Sequence, residues 1–166
     1  MVSVSYSHRI IVDCNFVRWI STSLDKKSTI ISKMLRININ SKEHPKENIL
    51  ISDMDFDKLC TENVIKDKDM IRGCMFPFNI DKKIEGVNKE RLPEELIRLV
   101  MGVILTTEEP YQVILLTTKN GKEEYLSKYS DFLKQLRNFD VKDEEESLVI
   151  LNDLYKKYVS EREISR

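Results

Sequence analysis

Glycine and proline are both scarce, at four each in 166 residues. Flexible linkers and low-complexity segments are built largely from such residues, so nothing here divides the chain. One domain is expected over 1–159, with a polar tail at 160–166 that frays. Cysteine is scarcer still. Cys14, Cys60 and Cys74 are widely spaced, and His8 and His44 are the only histidines. That argues against a structural zinc site, which needs about four ligands in paired spacing. Dispersed cysteines in odd number read as reduced thiols serving as small apolar filler, which suits a cytoplasmic location.

Charge of one sign is also missing in any long run. The 27 basic and 28 acidic residues are interspersed and leave a net charge of −1. No basic stripe advertises a nucleic-acid or membrane surface, although folding can gather scattered lysines onto one face. The longest apolar stretch, Leu96 to Leu105, is interrupted by Arg98 and Gly102. It falls far short of the roughly 20 residues of a membrane span. Met1 to His8 is polar and carries no signal-peptide core. A Gly-rich phosphate loop, a Ser-His-Asp set and a Cys-His pair are all absent. What is present is globular: 41% hydrophobic residues are enough for a core despite 33% charged ones.

Arg9 to Val12 is a short β-branched run that reads as a buried strand ending at Asp13. Asn15 can cap a helix carrying Phe16, Trp19 and Ile20. A second helical pattern holds Ile30, Ile31, Met34, Leu35 and Ile37, and His44-Pro45 breaks it. Asn48 to Ser52 reads as another strand, with Asp53 and Asp55 beyond its end. Residues 61–91 read as an irregular excursion around the apolar island Cys74-Met75-Phe76-Pro77-Phe78. Pro93 suits a helix start, helped by Glu94 and Glu95. Leu96 to Ile104 fits a buried helix, which is favoured, or a shorter helix running into a strand at 103–107. Val113 to Thr117 is a central strand, closed by Asn120-Gly121 and followed by a helix burying Leu126, Tyr129, Leu133 and Leu136. Phe139 to Val141 is a short strand. Asp143 and Glu146 form a capping box for a last helix with Leu148, Leu151, Leu154, Tyr155 and Tyr158 on its buried stripe. Alternation of this kind predicts a three-layer α/β fold: a mostly parallel central sheet with helices on both faces.

In such sheets ligands bind beyond the carboxyl ends of the strands. Asp13, Asp53, Asp55, Lys119 and Asn120 all lie at such ends. Two converging carboxylates attract a hard divalent cation, which can polarise a phosphodiester and activate water. The segment Ile11-Val12-Asp13-Cys14-Asn15-Phe16-Val17 resembles the opening motif of PIN-domain nucleases, an apolar strand ending in Asp-x-Asn at a helix start. The strand Val113-Ile114-Leu115-Leu116-Thr117 and the Phe139–Val141 unit with its acidic-capped helix are similar to that family's late elements. The resemblance covers about 60 residues at the two ends. It implies a PIN-like fold and a magnesium- or manganese-dependent ribonuclease acting on RNA or single-stranded nucleic acid. Asp13 and Asp53 would hold the metal, with Asp55 as the alternative second acid and Asn15 as the orienting neighbour. Two acids of the family pattern are replaced. Lys119 and Asn120 follow the late strand, and the helix before it shows Arg98, Met101 and Gly102.

Simpler uses stand beside these. Asp13 can serve as a helix-start residue, Asp53 and Asp55 as caps for the turn at Phe56–Leu59, and Lys119-Asn120-Gly121 as turn chemistry. Two functions are therefore expected: the metal-dependent nuclease, or a catalytically inactive domain of the same shape serving as an interaction subunit. The second would bind a protein partner or a second copy of itself, with the island at Phe76 and Phe78 as one such surface. Neither function involves a membrane.

Overall fold

The structure is a computed structural model that describes residues 8–22, 24–40, 48–80, 91–108 and 112–164. Five strands form one sheet: β1 (His8–Val12), β2 (Ile49–Ser52), β3 (Phe76–Phe78), β4 (Gln112–Leu116) and β5 (Phe139–Lys142). Their spatial order is β3-β2-β1-β4-β5, and every pairing is parallel. Parallel strands require crossovers, and helices supply them on both faces. They are α1 (Cys14–Thr22), α2 (Leu24–Asn40), α3 (Asp53–Thr61), α4 (Lys68–Cys74), α5 (Glu94–Glu108), α6 (Lys119–Lys128), α7 (Ser130–Gln135) and α8 (Glu144–Ile164). The architecture is the expected three-layer α/β fold. No described helix is long and apolar enough to cross a membrane.

Strand alternation splits the core in two. Ile10, Val12, Ile49, Ile51, Ile114 and Leu116 face a cluster containing Phe16, Met34, Phe56 and Leu151. Ile11, Leu50, Val113 and Leu115 face the other, with Ile97, Leu105, Tyr125 and Phe139. Because β2 and β4 bury side chains on both faces, their apolar runs are nearly continuous. Gly102 lets the Phe139 ring lie against α5, where a Cβ would stand 2.1 Å from the ring.

Three expectations change in detail, while the favoured single helix through 103–107 and the capping box of the last helix hold. The 61–91 stretch contains α4 and the edge strand β3. Ile71, Cys74 and Met75 are buried in the first cluster, and Pro77 is tolerated because an edge strand need not use both hydrogen-bonding edges. Residues 81–90 with Gly86, and the break at His44-Pro45, lie outside the described residues. The run through 103–107 is one helix, α5. Asn120-Gly121 sits in the first turn of α6 rather than in a turn, because Thr118 caps that helix by accepting from the Gly121 N–H. The helix expected to bury Leu126 is broken at Tyr129, and α6 buries Gly121 and Tyr125 while Leu126 is exposed. The capping box of α8 forms as read: Asp143 Oδ1 accepts from Glu146 N at 3.0 Å, and Glu146 Oε1 accepts from Asp143 N at 3.1 Å.

Candidate functional site

Chain order jumps across β1 after β3, so the sheet's switch point lies between the carboxyl ends of β1 and β4. Asp13 leaves β1 there, and Thr117 leaves β4 beside it. The Asp13 N–H still donates to Leu116 O across the two strands at 3.2 Å. Asp13 then caps α1, as its reading as a helix-start residue expects, and Asn15 lies one residue inside the helix: Asp13 Oδ1 accepts from Phe16 N at 2.9 Å. Its other oxygen, Oδ2, accepts from the Thr117 hydroxyl at 2.5 Å and from the Tyr125 hydroxyl at 3.2 Å. The side chain is wholly buried.

The positive charge comes from α5. Arg98 is 2% exposed. It grips Asp55 with a planar fork, Nε to Oδ2 at 2.7 Å and Nη2 to Oδ1 at 2.8 Å. Nη1 donates to the Tyr125 oxygen at 2.8 Å and stands 3.8 Å from Asp13 Oδ2. Tyr125 therefore accepts from the arginine and donates to the aspartate, linking the two charges. Nη2 also reaches Cys14 Sγ at 3.1 Å and Glu94 Oε2 at 3.3 Å. At the mouth Glu94 is partly exposed and pairs with Lys58 at 2.7 Å.

Local sequence sets this arrangement. Ser52 caps α3 by accepting from Asp55 N at 3.0 Å, which turns Asp55 inward in the first turn. Gly121 makes room for the Thr117 hydroxyl, since a Cβ there would lie 2.2 Å from Thr117 Oγ1. Titration follows burial and charge. Burial pushes the Asp13 carboxyl above its ordinary value, against the opposing pull of Arg98, Thr117 and the Phe16 N–H. Burial alone would lower the Arg98 pKa, but Asp55, Tyr125 and Asp13 raise it further, so the guanidinium stays charged. Tyr125 is raised by burial and then by the Asp13 charge, and stays a neutral donor. The Cys14 thiol is pushed up to about 11, chiefly by burial.

Among the described residues, the group of three possible metal ligands is Cys14, Asp55 and Glu94, with ligand atoms all within 4.8 Å of one another. Asp13 and Asp53, the expected ligand pair, do not belong to it. The carboxylate that shares Arg98 with Asp13 is Asp55. Asp53 stands half-buried in the first turn of α3. Asn15 accepts from Arg18 Nη1 at 3.3 Å. It lines a polar cleft of about 280 Å³ with Arg18, Thr118, Asn120, Gly121 and Glu124. Lys119 is exposed, and its N–H donates to Glu144 at 2.8 Å. Magnesium and manganese do not fit this donor set. They take oxygen ligands, magnesium in near-octahedral geometry with several waters. Here one donor is a thiol, and the space between the donors holds the Arg98 guanidinium.

No family model, curated protein or solved structure matches this chain.

The sequence pointed to Asp13 and Asp55 but not to what joins them. Arg98 counted there only as a missing acid, although a lone arginine inside the apolar run from Leu96 to Leu105 was itself a signal. A charge on a buried helix needs an opposite charge to meet it. Thr117 and Tyr125 carried no comparable mark, because hydroxyls at a strand end and on a polar helix are ordinary.

Proposed function

We propose that this chain is a catalytically inactive α/β domain of PIN-like type that acts by binding, as an interaction subunit of a larger assembly. The observation that supports this reading is the Arg98 guanidinium, seated between the carboxylates of Asp13 and Asp55. A hydrolytic metal centre needs an ion with open positions for water and substrate. At this site the counter-charge is covalently part of the chain, every Asp13 oxygen accepts a hydrogen bond, and both carboxylates are buried. Replacement of the two further acids of the nuclease pattern points the same way. The partner is a protein or a second copy of the chain.

Incubation of the purified chain with single-stranded RNA and Mg²⁺ or Mn²⁺, beside Asp13→Asn, tests the first half of the reading. Equal, background-level cleavage by both is expected; metal-dependent cleavage lost in Asp13→Asn would establish the nuclease instead. Light scattering of the chain alone tests self-association, and a monomer at all concentrations directs the search to a different protein.

A further inference from the structure

The face of the sheet that carries α1, α2 and α4 holds a pocket of about 150 Å³, and none of the groups around Arg98 lines it. Its walls are Ile20 of α1, Ile31 of α2, Val64 and Ile65 of the turn after α3, Ile71 of α4, and Met75 just behind it. Protein interiors are packed as densely as organic crystals and hold few voids larger than a water. A space of this size needs a frame that keeps it open, and the turn after α3 supplies one. Asn63 takes a left-handed conformation, with φ at 62°, and the Val64 and Ile65 N–H groups both donate back to Leu59 O, at 2.9 and 3.2 Å. Glu62, beside that turn, is gripped from α1 by Arg18 Nη2 at 2.6 and 2.8 Å. The wall of Val64 and Ile65 is thus tied to the wall of Ile20, and collapse of one onto the other would strain these bonds.

The lining is chemically one-sided. Its polar residues are Ser21, Lys66 and Asp67. Lys66 and Asp67 are exposed and mark the solvent side. The Ser21 hydroxyl donates to Val17 O at 2.9 Å, within its own helix. Among the described residues, no unsatisfied buried side-chain atom belongs to this lining. The interior therefore demands no hydrogen bond, and a molecule entering it gains by leaving water. Size narrows the choice. Sites for drug-sized ligands run to roughly 300–1,000 Å³. A dry aliphatic cavity of about 150 Å³ takes benzene. We propose that this pocket binds a small uncharged apolar molecule of about six carbon atoms, with any polar group left at the mouth beside Lys66 and Asp67. The proposal goes beyond the interaction-subunit reading and does not rest on it.

The full chain, with isotope-labelled isoleucine and methionine methyl groups, is titrated with benzene and followed by nuclear magnetic resonance. Saturable shifts centred on Ile20, Ile31, Ile65, Ile71 and Met75 are expected, with a melting temperature raised by a few degrees at saturation. Pyrimidine has the same ring shape but is polar, and should bind at least roughly tenfold more weakly, because its nitrogens lose water without gaining a partner. Val64→Phe puts a ring into the pocket and should abolish the shifts. If that variant does not fold, Ile31→Phe, at a half-buried position of α2, repeats the test. The wild-type titration decides even without the variants. No saturable shift up to the aqueous solubility of benzene would overturn the proposal. So would shifts centred on the other core cluster, at Ile97 and Ile104, or at Ile30 on the α2–α8 side. Undiminished binding by a folded, filled variant would overturn it as well.

Discussion

Replacing Arg98 by methionine keeps most of the volume of the side chain and removes its charge. Arg98 and Asp55 are each 2% exposed, and Asp13 is fully buried. The substitution therefore strands two carboxylates in a dry interior and takes a donor from Tyr125. Removing one partner of a buried ion pair destabilises by about 3–5 kcal/mol, mostly through the charge left behind. Because one guanidinium serves both acids, the upper part of that range is expected at neutral pH. For a domain of this length each kcal/mol corresponds to roughly 2–4 °C, so the melting temperature should fall by roughly 10–20 °C. The deficit should also depend on pH. Unpaired buried carboxylates relieve their desolvation by taking up protons, so the gap between wild type and Arg98→Met should narrow as the solution is acidified. Urea unfolding of both proteins at neutral and mildly acidic pH measures this. The double variant Asp55→Asn/Arg98→Met should recover part of the loss, since the closest stranded charge is then gone. A deficit below about 1 kcal/mol at neutral pH, of the size of an exposed ion pair, would refute the reasoning.

Other consequences concern the shell around the arginine. Gly121→Ala drives a Cβ to 2.2 Å from Thr117 Oγ1, which must leave Asp13; a loss of about 1–3 kcal/mol is expected. In a Thr117→Ala background the same change should lose much less, and strict additivity in thermal unfolding would contradict the contact. Asp13 carries a pH signature of its own. Its folded pKa lies above the ordinary 3.8, so the folded state holds its proton more tightly. The resulting stability is fully present below the unfolded value and lost as pH rises through the folded one. Wild type measured against Asp13→Asn should therefore lose relative stability as pH rises above the ordinary carboxyl value of 3.8, and a gain on raising the pH would reverse the sign of the account. Asp143→Ala removes one half of the α8 capping box and should lose about 1 kcal/mol by denaturant titration, with no change at Arg98.

The frame of the fold was readable because its signals are local. β-branched runs at Arg9–Val12 and Val113–Thr117, the paired Asp143 and Glu146, and Pro93 before an apolar helix each specify their own element through backbone and side-chain preference. Less legible were segments whose structure depends on distant partners. The α4–β3 unit gains its order from packing on α2 and pairing with β2, which a charge-rich sequence does not display. At the site, Asp13 was conspicuous because an acid ends an apolar strand, and Asp55 because it follows one. Their connection was not legible, since it joins residues 13, 55, 98 and 125 from four elements of the chain. A helical period places Arg98 on α5 but does not say which acid it meets.

A crystal structure from protein grown and soaked with Mn²⁺, with anomalous data at the manganese edge, tests the central claim most directly. The account predicts the Arg98 guanidinium between Asp13 and Asp55 and no anomalous peak at that position. A manganese ion bound to those carboxylates, with Arg98 displaced from them, would contradict it.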